Sequence, residues 1–130
     1  MEKTNVHRIL EQKKIPYTPH AYDPSVTDGV SVARLIGQSE ERVFKTLVTE
    51  SGRGEHFVFV IPVSESLDLK KAAKAAGVKS VAMLKQKELL PLTGYVHGGC
   101  SPVGMKKPFG TVIDETAILY DAIIVSAGKV

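Results

Sequence analysis

The sequence contains no tryptophan, a single cysteine (Cys100) and only 6% aromatic residues. One cysteine excludes an intramolecular disulfide and suits a reducing compartment, so a cytoplasmic location is expected. No apolar run approaches the ~20 residues that a membrane-spanning helix needs. The polar opening, Met1-Glu-Lys-Thr-Asn5, is unlike a secretory signal. A Gly-x-x-x-x-Gly-Lys phosphate loop is missing. His97 and Cys100 are spaced like half a zinc site, but no second pair completes four ligands. Neither a cofactor nor a metal is therefore implied. Ser101, His97 and Asp114 contain the residue types of a hydrolase triad, yet Ser101 lacks a Gly-x-Ser-x-Gly elbow and precedes Pro102. His7, His20 and His56 read as structural or exposed, and Cys100 as a small buried hydrophobe.

What is present describes an ordinary folded chain. Its 130 residues suffice for one domain with a real core and are too few for two. Hydrophobic residues make up 43% and charged residues 24%, a balance that argues against disorder. The net charge of +3 is unevenly spread. Between Leu69 and Gly110 eight lysines face one acid, Glu88, so this segment carries +7 and the rest of the chain −4. Clustered positive charge suits a phosphate-rich partner; a lysine face also serves solubility. Lys70, Lys71 and Lys74 are the candidates for phosphate contact.

Periodicity predicts a helix from Asn5 to Ile15, capped by Thr4 or Asn5 and ended by Pro16, then a short strand from Tyr17 to Tyr22 broken at Asp23-Pro24. Ser31 is expected to open a second helix that stops at Gly37, and Ser39–Arg42 a helical turn. Val43–Thr49 and His56–Val63 are the clearest strands, joined by a hairpin turn at Ser51-Gly-Arg-Gly54. Asp68 caps a lysine-rich helix, Leu69–Ala76, which Gly77 stops. A strand at Ser80–Met83 and a helix from Leu84 to Leu90, ended before Pro91, follow. Further strands are expected at Tyr95–His97, Thr111–Asp114 and Ala122–Ser126. Strands and helices intersperse without strict alternation, which favours an α+β fold with a mixed sheet.

Two features carry chemistry. Lys45 lies within the apolar strand Val43-Phe-Lys-Thr-Leu-Val48 and shares a face with Val43 and Leu47. A lysine there either points to water at a sheet edge, discouraging aggregation, or projects into a pocket. The loop Gly94-Tyr-Val-His-Gly-Gly-Cys-Ser-Pro-Val-Gly104 places Gly98 and Gly99 together after an expected strand. Such a pair either satisfies a tight turn or lets backbone N–H groups approach a ligand and hold a developing oxyanion.

Taken together, Val43-Phe-Lys-Thr-Leu47, the helix Leu67–Ala76, the loop from Gly98 to Lys107 and Ile124-Val-Ser-Ala-Gly-Lys129 resemble the YbaK/EbsC family of trans-editing aminoacyl-tRNA deacylases. These proteins are related to the editing insertion of bacterial prolyl-tRNA synthetases. The pieces fall in the family's order and cover most of the chain. The resemblance implies a single editing domain, residues 1–130, with a β-barrel-like mixed sheet surrounded by helices. It implies Lys45 as the central functional residue, with Gly98 and its neighbour Gly99 at the reacting carbonyl. Tyr22, Thr46 and Ser126 map onto the family's substrate-binding positions. The implied partners are aminoacyl-tRNA and prolyl-tRNA synthetase, with no membrane and no DNA. The implied reaction is deacylation of cysteinyl-tRNA(Pro), in which the substrate's own thiol attacks its ester. Hydrolysis of alanyl-tRNA(Pro) and a catalytically inactive binding module are the alternatives. Two departures stand out: Asp28-Gly29 replaces an aromatic-glycine pair found in some relatives, and the sequence ends at Val130 where relatives continue.

Overall fold

The computed structural model describes residues 3–23, 25–26, 28–107 and 109–128, so the expected break at Asp23-Pro24 and the end of the Ile124–Lys129 motif fall partly outside it. Helix α1 spans Asn5–Gln12. Its Thr4 cap is reciprocal: His7 N–H donates to Thr4 Oγ1 at 3.4 Å and Thr4 N–H donates to His7 Nδ1 at 3.0 Å. The helix stops short of Ile15, and Lys14 turns the chain with φ +56°. The strand expected at Tyr17–Tyr22 does not form. Tyr17 is occupied by α1 instead: it stacks on His7 at 5.3 Å and donates to the Glu11 carboxylate at 2.8 Å. Helix α2 spans Gly29–Leu35 and starts before Ser31, because Asp28 is its cap. One Asp28 oxygen accepts from Ser31 N–H at 3.0 Å and from Ser31 Oγ at 2.7 Å. A Cβ at Gly29 would lie 2.6 Å from Val63 Cγ1, so only glycine lets α2 sit this close to the sheet.

Strands β1 (Phe44–Ser51) and β2 (His56–Pro62) form the expected hairpin, with Lys45 opposite Ile61 and Thr46 opposite Val60. Gly54, at φ +80°, closes its turn by donating to Ser51 C=O at 3.1 Å. Helix α3 (Leu69–Ala76) is capped by Asp68 and ended by Gly77 at φ +73°, as read from the sequence. Strand β3 (Val81–Met83) pairs antiparallel with the far end of β1. Helix α4 (Gln86–Thr93) runs through Pro91 rather than stopping before it. The ring removes one N–H, but Leu89 and Leu92 pack on the core and Thr93 Oγ1 donates to Leu89 C=O at 2.8 Å. Strand β4 (Gly110–Ile113) lies parallel to β2, and a 3₁₀ turn over Glu115–Leu119 follows.

The sheet order is β3-β1-β2-β4, open and mixed. Two further expected strands are absent. Tyr95–His97 enters a turn, with the buried Tyr95 hydroxyl donating to Val103 C=O. Ala122–Ser126 is reduced to one parallel bridge, Ile124 beside Val43. Gly128 N–H donates to Ser126 Oγ at 3.3 Å, a local bond just beyond that bridge.

Each face of the sheet has its own cover. Phe44, Val48, Val58 and Val60 share one face and pack with Val6, Tyr95, Cys100 and the α4 leucines. The opposite face is divided. Val43 and Val63 pack under Ala33 of α2, whereas Phe59 packs under Ala72 and Ala73 of α3. Lys45 and Ile61 lie between these two clusters.

Candidate functional site

Strand β1 offers a gap in its hydrogen bonding at Thr46. Val63 N–H donates to Val43 C=O at 2.8 Å, so odd-numbered residues at this end of β1 bond toward β2. Phe44, Thr46 and Val48 turn their backbone groups the other way. Val48 C=O accepts from Leu84 N–H at 3.0 Å, and Phe44 N–H donates to Ile124 C=O at 2.8 Å. Between those two bonds the Thr46 N–H and C=O meet no partner among the described residues. The Thr46 Oγ1 is also buried with no partner among them. Buried polar groups are satisfied in the large majority of cases, which makes the buried Thr46 Oγ1 an exception. A window of unspent donors and acceptors is therefore a binding opportunity, framed here by Leu84 on one side and Ile124–Ser126 on the other.

Strand alternation sends the side chains of Lys45 and Thr46 to opposite faces. Thr46 shares its face with the Cys100 cluster, and half-buried Lys45 faces the α2 side. Strand β3 covers only Thr49–Ser51 of β1, so at Lys45 and Thr46 the side of β1 away from β2 is a short open edge between Leu84 and Ile124. Its neighbour across the gap to α2 is Asp28. Bonding from Ser31, with smaller contributions from the Arg34 and Lys45 charges, holds the Asp28 carboxyl below the usual carboxylate range. Lys45 makes no ion pair among the described residues, which leaves its ammonium available.

Gly98 and Gly99 lie at a turn of the loop that follows α4. Gly98 takes φ +85°, a turn that only glycine adopts readily. The Gly99 N–H is spent on Val96 C=O at 3.0 Å, so it is not a waiting oxyanion donor. Among the described residues the Gly98 and Cys100 N–H groups have no such partner. Cys100 itself is buried, and burial pushes its thiol up to about 11. Tyr22 is half-buried, and burial raises its phenol, so it stays a neutral donor near pH 7. Ser126 lies two residues beyond the Ile124 bridge, level with Lys45 along β1. The structure thus puts Lys45 and Thr46 side by side on β1, close to the Ile124 bridge that precedes Ser126, and gives no contact joining Tyr22 or Ser126 to them among the described residues.

Lys70, Lys71 and Lys74 are exposed on α3, on the other side of the sheet from the Gly98 loop. Lys71 lines a cavity of about 620 Å³ floored by Phe59, Ile61 and Val112 and rimmed by Glu65, Asp68 and Asp114. That cavity does not include Lys45. No cluster of three or more potential metal-ligating side chains occurs among the described residues.

Residues 23–130 match the model of the aminoacyl-tRNA editing domain. The chain belongs to this family. It is 50% identical over 130 residues to EbsC of Enterococcus faecalis, a protein named for deacylation of Cys-tRNA(Pro) and Cys-tRNA(Cys). The match covers 98% of this chain and 79% of that protein. A proline–tRNA ligase of Pelobacter propionicus is 29% identical over 91 residues, which are 70% of this chain and 16% of the ligase. The crystal structure described as a trans-editing enzyme for prolyl tRNA synthetase superposes with TM-score 0.83 at 23% identity, covering 99% of this chain and 83% of that one. The α+β editing-domain fold read from the sequence is therefore the observed one, without closure of the sheet into a barrel.

Proposed function

We propose that this editing domain removes misattached amino acids from tRNA in the cytoplasm, with cysteinyl-tRNA(Pro) as its principal substrate. The reading is carried by half-buried Lys45, without an ion pair among the described residues, next to Thr46, whose hydroxyl, N–H and C=O also lack partners among them, in a protein whose one thiol is buried and protonated. Ester cleavage needs a nucleophile and a stabilised oxyanion. This protein supplies the second and leaves the first to the substrate.

The substrate's cysteine Sγ, as thiolate, attacks its own ester carbonyl. A C–S bond forms, the C–O bond to the terminal ribose breaks, and the ribose oxygen leaves with a proton as the free hydroxyl. The products are a cyclic thiolactone and deacylated tRNA. Proximity in such an intramolecular attack contributes up to about 7–11 kcal/mol. Lys45 favours the thiolate over the thiol, whose unperturbed pKa is about 8.5. The Gly98 and Cys100 N–H groups receive the oxyanion, Thr46 holds the aminoacyl group through its free backbone and hydroxyl, and Tyr22 and Ser126 border the pocket. The name of the Enterococcus relative supports the cysteine substrate, and the ligase matches support delivery beside prolyl-tRNA synthetase.

Purified protein with cysteinyl-, seryl-, alanyl- and prolyl-tRNA tests this reading. Rapid loss of cysteine as a thiolactone, with seryl-tRNA far slower, is expected. Efficient turnover of alanyl-tRNA, or free cysteine as the first product, would replace it with an activated-water mechanism. No turnover of any substrate together with retained tRNA binding would leave a binding module.

A further inference from the structure

The lysines of the +7 segment divide between the two faces of the sheet. Those on α3 lie over the face that Ala72 and Ala73 share with Phe59. Lys71 there looks onto a cavity rimmed by Glu65, Asp68 and Asp114, whose charge repels a polyanion. A second set sits on the other face. Leu84, bonded to Val48 at the edge of the Thr46 window, leads directly into Lys85, the residue before α4, and Lys87 lies in its first turn. Met105 packs into the same cluster as Cys100 and the α4 leucines. Lys106 N–H donates to Thr93 C=O at 3.1 Å, and the Lys106 stem lies along Gly94, 3.4 Å from where a Cβ would stand. Lys107 follows. All four lysines are exposed, and none has a carboxylate within ion-pair distance among the described residues.

We infer that the terminal phosphates of the aminoacyl-tRNA run over α4 and the 104–107 loop, contacting Lys85, Lys87, Lys106 and Lys107, rather than over α3. This inference rests on the proposed deacylation for its choice of ligand. Helix α4 begins two residues after Leu84, at the border of the Thr46 window, and ends at Thr93, shortly before the Gly98 turn, where Lys106 bonds back to it. A single strand whose last residue enters that window from this face must pass them. The α3 lysines lie over the Phe59–Ala72 cluster rather than beside Leu84, and act at longer range on the approach of the polyanion.

The test is the salt dependence of binding to uncharged tRNA, which needs no catalysis. Each phosphate contact on a single strand contributes about 0.7 to the slope of log K against log salt. The quadruple variant Lys85→Gln, Lys87→Gln, Lys106→Gln, Lys107→Gln should flatten the slope by about 2–3 and weaken binding at low salt at least about tenfold. The triple variant Lys70→Gln, Lys71→Gln, Lys74→Gln should leave the slope nearly as it is. The pair Lys85→Gln, Lys87→Gln should give about half the quadruple effect, and thermal melts of all three should match the parent. A larger slope change in the triple variant, equal changes in both, or none in either would overturn the inference. Wild-type protein with 2′(3′)-O-cysteinyl-adenosine, which has no phosphate, reads the catalytic proposal separately. Its failure to react sinks that proposal, whatever the slopes show.

Discussion

At the scale of single residues, chemistry and stability separate cleanly. Lys45 is half-buried and, among the described residues, makes no ion pair and belongs to no apolar cluster. Lys45→Ala should lower kcat/KM for cysteinyl-tRNA on the order of 100-fold, the scale of losing one electrostatic group at a reacting centre. Its unfolding free energy should change by less than about 0.5 kcal/mol. A folded variant with full activity would remove Lys45 from the site. Cys100 shows the reverse pattern. Cys100→Ser should keep deacylation but cost about 1–3 kcal/mol, because a hydroxyl replaces a buried thiol among apolar neighbours. Its pH behaviour has a definite sign. Burial raises the thiol from 9.0 to about 11, so the folded state holds a proton that the unfolded state has already lost. Stability is therefore lost as pH rises from about 9 through about 11. Melts of wild type and Cys100→Ser across that window should show the steeper decline in wild type; parallel declines would mean that the thiol titrates freely.

At the scale of elements, the hairpin and α3 were legible because their signals are local. Asp68 and Gly77 bracket one helix, and Ser51–Gly54 spells one turn. Tyr17–Tyr22, Tyr95–His97 and Ala122–Ser126 have strand composition but no ladder, since composition cannot show whether a partner edge is within reach. The site was legible to a similar depth. A charge inside an apolar strand marked Lys45, and paired glycines marked the Gly98 turn. The Thr46 window was hidden, because it depends on where Leu84 and Ile124 stop covering β1. Charge counting likewise gave no reason to prefer Lys85 or Lys106 over Lys70. Asp28-Gly29 read as a departure from relatives, and the structure makes it the contact that sets α2 on β2. Gly29→Ala should destabilise by about 1–3 kcal/mol through overpacking on Val63, despite alanine's better helix propensity. Val63→Ala in the same chain should recover about 1 kcal/mol or more of that loss in a double-mutant cycle. Strict additivity in urea denaturation would mean that the two residues do not touch.

At the scale of the whole molecule, the editing domain combines pairings of very different reach. The β1–β2 hairpin joins neighbours through one short turn, while β2 and β4 pair in parallel although the chain between Pro62 and Gly110 must cross α3, β3 and α4 first. That difference has a kinetic consequence. Closing a short loop is entropically cheap, whereas the β2–β4 contact rewards folding only after a long segment has been ordered. The hairpin should therefore be structured in the rate-limiting transition state and β4 should dock after it. Gly54→Ala strains a residue held at φ +80° and should slow refolding with little change in unfolding. Val112→Ala, which removes contacts of β4 with Phe59, should instead speed unfolding and leave refolding nearly untouched. Stopped-flow chevrons of the two variants would decide the order, and equal effects on both limbs would place hairpin and β4 in one nucleus. Should β4 dock last, each newly synthesised molecule passes through a state in which the β2 edge, Phe57 to Val60, is briefly bare. Before the fold closes, that edge is the part of this chain most open to capture by a chaperone or by another unfinished copy.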